Sequence, residues 1–177
     1  MKNAIEFLLE DDHASLGRLL DEFDTELTKP AVSRAFDLLD RFWGGLAVHI
    51  RAEHLHLFPA VTNVPTSSYT GNDGRPTSAE MRSIIERLRS DHDFFMKELA
   101  LMIKTMREMV TSGSAPTARI DGLRRSLAVI RKRLEDHNHL EEQQVYRWPA
   151  LVFDDVTMAE LRDGLRQELQ NLPGRFS

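Results

Sequence analysis

Not one of the 177 residues is cysteine. Disulfides, thiolate nucleophiles, iron–sulfur ligation and cysteine-based zinc sites are thereby excluded. Positive charge is also short: 23 Lys and Arg against 28 Asp and Glu leave a net charge of −5. Such a balance gives no general attraction to nucleic acid or to an anionic membrane. No apolar run approaches the roughly 20 residues of a membrane span. The opening, Met1-Lys2-Asn3-Ala4-Ile5-Glu6-Phe7, lacks the apolar stretch of a signal peptide. The expectation is a soluble, cytoplasmic protein with neither nucleic acid nor membrane as a partner. Alternation of period two, the mark of a half-buried strand, is missing over any useful length. The chain therefore reads as all-α.

What is present is long helical periodicity. Ile5, Leu9, His13, Leu16, Leu20, Phe23 and Leu27 follow steps of four and three, the seam of a bundle helix. Lys29-Pro30 should end it, because proline disfavours helical geometry in the residue before it. A second helix is expected from about Pro30-Ala31 to Phe58, where Pro59 breaks it. Thr62 to Thr77, with Pro65, Gly71, Gly74 and Pro76, reads as a loop. Thr77-Ser78-Ala79-Glu80 is a capping box for a third helix, whose seam runs Met81, Ile85, Leu88, His92, Phe95, Leu99, Met102, Met106, Met109. Ser112–Pro116 makes a turn. A fourth helix carries Ile120, Leu123, Leu127, Ile130, Leu134, His137, Glu141 and Val145. Thr157-Met158-Ala159-Glu160 reads as a second capping box opening a short fifth helix. Residues 1–150 are expected to form an up-down-up-down four-helix bundle, and residues 151–177 a capping helix and tail.

Each long seam has histidine where an apolar residue belongs. On helices two and four that histidine is followed by glutamate four residues on, His49…Glu53 and His137…Glu141, so each pair leaves one face of its helix. A carboxylate on an apolar stripe is expensive to bury unless something binds it. In antiparallel helices, residues equidistant from a turn lie at one height. The midpoint of His13 and His49 falls beside Pro30, that of His49 and His92 beside Thr70, and that of His92 and His137 beside Ser114. All three coincide with predicted turns. The bundle should thus bring four imidazoles and two carboxylates to one interior level. Six such donors exceed one tetrahedral zinc and suit two octahedral irons bridged by carboxylates.

Asp12-His13, His49-x-x-x-Glu53 with Phe58-Pro59, Asp91-His92 and His137-x-x-x-Glu141-Glu142 together resemble the hemerythrin-like, or HHE cation-binding, family over roughly residues 5–150. The resemblance implies a left-handed four-helix bundle around a non-haem di-iron centre with an oxo or hydroxo bridge. His13, His49, His92 and His137 match its terminal ligands, and Glu53 and Glu141 match its bridges. Zinc or manganese are the expected substitutes for iron. The implied ligand is a small gas, O2 or NO, for sensing, scavenging, storage or redox and iron handling. Met96 stands where the oxygen carriers place a second histidine. The four-His, two-Glu set is closer to that of di-iron proteins linked to iron–sulfur cluster repair, which carry a cysteine-containing domain absent here.

Other residues receive plainer roles. Phe95 and Met96 are expected to wall the gas pocket, and His56 to support the site or line its entrance. His54, His139, Asp12, Asp91 and Asp136 are expected to face solvent. Met102, Met106 and Met109 read as core filler, and Trp43 and Trp148 as packing. The fifth helix is expected to cap the bundle, with a homodimer contact as its alternative use. Two rival readings stand beside the leading one. The first is a structural module with a non-redox metal. The second is a ferritin-like carboxylate protein, for which Glu10-x-x-His13 and Glu53-x-x-His56 match but helix three offers no seam glutamate.

Overall fold

The computed structural model describes residues 2–29, 31–64 and 76–172. Among them there is no strand. Four long helices, α1 (Ala4–Glu26), α2 (Ser33–Ala52), α4 (Ser78–Ser112) and α5 (Thr117–Gln143), form the bundle. A π-helical turn (Glu53–Leu57) and the short α3 (Phe58–Thr62) extend α2, while a 3-10 turn (Val145–Arg147), α6 (Trp148–Val152) and α7 (Asp155–Leu169) follow α5. Helix α1 packs on α2 and α5, and α4 packs on the same two, so each long helix touches its two neighbours. Helix α7 lies along α2, α1 and the π-turn. No helix among the described residues is long and apolar enough to cross a membrane.

The helix ends follow their chemistry. The Asn3 side chain accepts from the Ile5 and Glu6 amides and Glu6 returns to the Asn3 amide, a capping box that starts α1. Thr77 and Glu80 do the same for α4, as expected. Gly113, at φ 65°, closes α4 in the left-handed conformation that suits glycine. Helix α7 starts earlier than its Thr157 box suggests. Asp154 is the cap and accepts from the Thr157 amide, leaving Thr157 inside the first turn. Pro30, the loop prolines and glycines between residues 65 and 75, and Pro173-Gly174 lie outside the described residues.

Pro59 does not break the second helix. The Phe58 amide bonds the Glu53 carbonyl, a five-residue step that widens the turn. Pro59 then falls in the first turn of α3, where a missing amide hydrogen costs nothing. The widened turn re-aims the residues within it, with consequences for His54 and His56.

Two apolar layers fill the interior. One holds Leu16, Leu20, Phe23, Leu39, Phe42, Leu46, Phe95, Leu99, Met102, Met106, Leu123, Leu127 and Ile130. The other holds Ile5, Leu9, Leu57, Phe58, Met81, Ile85, Leu88, Val145, Tyr146 and Trp148, together with Leu161 and Leu165 of α7. Each fully buried Leu or Phe contributes about 1.5–3 kcal/mol of transfer free energy. On every long helix the break between the layers falls at the histidine or within a few residues of it.

Candidate metal centre

His13, His49, His92 and His137 are all buried, and so are Glu53 and Glu141. The imidazoles form two pairs, His13 with His49 and His92 with His137, each with Nε2 atoms 3.1 Å apart. Between the pairs the two carboxylates divide their oxygens. Glu53 turns Oε1 to His49 Nε2 (3.6 Å) and Oε2 to His92 Nε2 (3.3 Å). Glu141 turns Oε2 to His13 Nε2 (3.4 Å) and Oε1 to His137 Nε2 (3.1 Å). The result is two nests, each of two nitrogens and two oxygens.

These donors fit metal. Donors about 2.1 Å from an octahedral ion lie about 3 Å from their neighbours in its shell, and the spacings within the nests, 3.1 to 3.6 Å, are close to that. Glu53 Oε2 and Glu141 Oε1 are buried with no hydrogen-bond partner among the described residues, an arrangement that a cation would relieve. His13, His49 and Glu141 form one group with metal-ligand proximity, and His92, His137 and Glu141 form a second.

Every imidazole is held from behind through Nδ1. Asp12 accepts from His49 (2.8 Å) and Glu142 from His13 (2.9 Å). Asp91 lies 3.3 Å from His137 Nδ1 and also takes the Arg133 guanidinium at 2.6 Å. His54 Nε2 meets His92 Nδ1 at 2.9 Å. A proton on Nδ1 leaves the Nε2 lone pair facing the shared space. Asp12 and Asp91 therefore do not face solvent as expected. They bond the histidine of the neighbouring helix, since residues one step apart on a helix diverge by about 100°. Asp136 and His139 are exposed, the former paired with Lys132. We expect Asp12→Ala to weaken metal binding about 10–100-fold, the usual effect of losing such a support, read by competition with a chelator.

His54 and His56 both depart from expectation, for one reason. A π-turn advances each residue by less than the 100° of an α-helix. His54 thereby swings to α4 and is half-buried against His92, with its ring 5.0 Å from it. His56 no longer shares the Glu53 face; a Cβ built on Gly164 of α7 would stand 2.9 Å from its Nδ1. It supports the seating of α7, away from the nests. Glu10 pairs with Lys2. The ferritin-like set is therefore not assembled.

Phe95 meets the His137 ring edge-on, 5.2 Å between centroids, and Met96 packs on the first apolar layer. Neither lines the cavity of about 30 Å³ beside the histidines, which is bounded by Leu16, Gly17, Leu46, Leu134 and Asn138 along with His13, His49 and His137. The cavity is lined from α1, α2 and α5, whereas both residues are on α4.

Sequence reasoning missed Tyr146. Helix α5 stops at Gln144 (φ −128°, ψ −68°), and the 3-10 turn directs the Tyr146 ring inward. Its hydroxyl lies 2.9 Å from Glu53 Oε1, 3.1 Å from Glu141 Oε2, 3.0 Å from His13 Nε2 and 3.4 Å from His49 Nε2. A signal was available. Tyr146 follows His137 by the same interval as Phe58 follows His49.

Without metal the cluster balances its own charge. Burial works against protonating His49, but the Glu53 charge and the Asp12 hydrogen bond outweigh it and hold the imidazole well above its ordinary value. Burial likewise opposes the charge on His13 and His137, and carboxylates led by Glu141 raise both. Burial pushes Glu53 upward, yet His49 and His92 bring it well below its ordinary value. Burial and the Glu53 charge raise Glu141, and His137 and His13 more than offset them. His54 goes the other way, lowered to about 4 by burial, His92 and Arg89. Burial and the two glutamates keep the Tyr146 phenol protonated far above its usual range.

The signs give a pH profile for metal-stripped protein. Raised histidines stabilise fully below their unfolded value of 6.5 and lose that contribution as pH climbs through their folded values. Lowered Glu53 and Glu141 stabilise above 4.5 and lose it as pH falls through their folded values. His54 stabilises above 6.5 and loses it toward 4. Melting of the stripped protein should therefore peak near pH 6.5 and decline on both sides; a melting point still rising at pH 8 would contradict this.

No curated protein and no solved structure matches the chain significantly. A family model does, over residues 5–148. That span contains all four histidines and both glutamates of the two nests, and the chain belongs to the metal-binding hemerythrin HHE cation-binding domain family.

Proposed function

We propose that the chain holds two irons in these nests and binds a small gas, O2 or NO, for sensing, scavenging, storage or redox handling. The observation that supports two ions over one is the division of each carboxylate between both histidine pairs. His13 and His49 would hold one ion and His92 and His137 the other, with Glu53 and Glu141 bridging. Imidazole and carboxylate together suit iron, with zinc and manganese as competitors.

Bound iron supplies electrons and an open coordination position for the gas. The chain supplies the rest. Asp12, Glu142, Asp91 and His54 fix the imidazole orientations. Leu16, Leu46 and Leu134 give the small cavity an apolar wall, and its 30 Å³ has room for a molecule of water size. It borders the histidines on the side of the first apolar layer, to which Leu16, Leu46 and Leu134 belong, whereas Tyr146 belongs to the second layer. Space of this size favours a diatomic gas over a bulky substrate. The apolar layers on either side limit water at the centre.

A structural role for the metal is the weaker reading, because both layers close without it. Metal analysis of protein expressed with iron, followed by optical spectra of the reduced form before and after O2 and, separately, NO, tests the proposal. About two irons per chain and a spectral change with at least one gas are expected. Less than one iron, with zinc dominant, would sink it.

A further inference from the structure

The two nests are related by an internal two-fold pattern. Asp12-His13 on α1 corresponds to Asp91-His92 on α4, and His49…Glu53 on α2 to His137…Glu141 on α5. The supports obey it: Asp12 bonds His49 as Asp91 bonds His137, and His54 bonds His92 as Glu142 bonds His13. Phe58 and Tyr146 occupy equivalent places, each beside the histidine contributed by the other half. Phe58 stacks on His92 at 5.9 Å and 7° between planes, and the Tyr146 ring lies 5.6 Å from His13. Only one of the two carries an oxygen.

That oxygen has a particular position. Within the His13–His49 nest the donors lie 3.1 Å (His13 to His49), 3.6 Å (His49 to Glu53) and 3.4 Å (His13 to Glu141) apart. The Tyr146 hydroxyl stands 2.9–3.4 Å from all four of them. Each vertex of an octahedral shell has four neighbours at about 3 Å when bonds are about 2.1 Å. A phenol hydroxyl has one proton to donate and two lone pairs with which to accept, so four close partners exceed what hydrogen bonding uses. No corresponding group of Phe58 reaches the His92–His137 nest.

We propose that Tyr146 is a fifth protein ligand, binding iron in the His13–His49 nest through its phenolate oxygen. The inference rests on the iron reading above and adds an inequality between the two positions. The phenol proton is released to solvent as the metal binds, as protons of ligating side chains generally are. The tyrosine-bearing nest is then the more anionic, with Glu142 behind His13 where neutral His54 stands behind His92. The His92–His137 nest keeps fewer protein donors and the freer coordination.

Resonance Raman spectroscopy of the oxidised, iron-loaded full chain tests this, with iron measured on the same samples. Iron(III) phenolate coordination produces a visible charge-transfer band whose excitation enhances tyrosine ring vibrations. Those vibrations should appear, shift in protein grown on ring-deuterated tyrosine, and survive Tyr69→Phe, which removes the only other tyrosine. They should vanish in Tyr146→Phe while the iron content stays near two. Two irons bound without enhanced ring vibrations in the unsubstituted protein would overturn the ligand role and leave the di-iron reading intact. Vibrations that persist in Tyr146→Phe would do the same. A chain that takes up no iron overturns both. The labelled wild-type measurement decides the matter even where Tyr146→Phe fails to fold.

Discussion

On the di-iron reading proposed above, Glu141→Gln should empty both positions, taking the content from about two irons per chain to near none. Glu141 belongs to both histidine groups, with Oε2 toward His13 and Oε1 toward His137 and, at 3.8 Å, His92. A glutamine of the same shape is neutral, and its amide nitrogen cannot accept a metal bond. One nest therefore loses an oxygen donor, and the charge of the two proposed bridging carboxylates is halved. His13→Ala makes the contrast. It removes a nitrogen from one nest and leaves His92, His137 and both carboxylates in place, so about one iron should remain. Retention of two irons by Glu141→Gln, with circular dichroism showing the helices intact, would contradict the bridging assignment.

Phe95→Ala should cost about 3–5 kcal/mol, the usual range for a large aromatic deleted from a packed core. At about 2–4 °C per kcal/mol for a chain of this size, the melting temperature should fall by roughly 6–20 °C. Phe95 is fully buried, belongs to the first apolar layer and presses its ring edge against His137. Its loss opens a void at the boundary between that layer and the histidine level, where neighbouring helices cannot collapse without moving His137. Phe95→Leu should lose much less stability. Thermal unfolding of the three proteins at one pH checks the order; equal melting of Phe95→Ala and the parent would show that the ring is not part of the packed layer.

Much of this was legible along the chain. The seams of α1, α2, α4 and α5 fix helix faces by spacing alone, because an apolar stripe of period near 3.6 has one way to be buried. Equal arm lengths about the turns then bring His13, His49, His92 and His137 to one level, and the i, i+4 spacing adds Glu53 and Glu141 to the same faces. These conclusions need only helical geometry and short connections.

What the tertiary structure decided lies where the helices depart from regularity or meet across a gap. Asp12 and Asp91 point away from their own helix's ligand, and only the packing of α1 on α2 and of α4 on α5 shows that each reaches the next histidine. The π-turn at Glu53–Leu57 and the 3-10 turn at Val145–Arg147 re-aim His54, His56 and Tyr146, because a changed number of residues per turn rotates everything within and after it. Periodic patterns assume a constant rotation per residue, so they place the six expected ligands and say nothing of these three. The sequence by itself determined the four-helix frame and its six metal-type donors. The irregular turns decided which side chains stand behind those donors and which phenol stands among them.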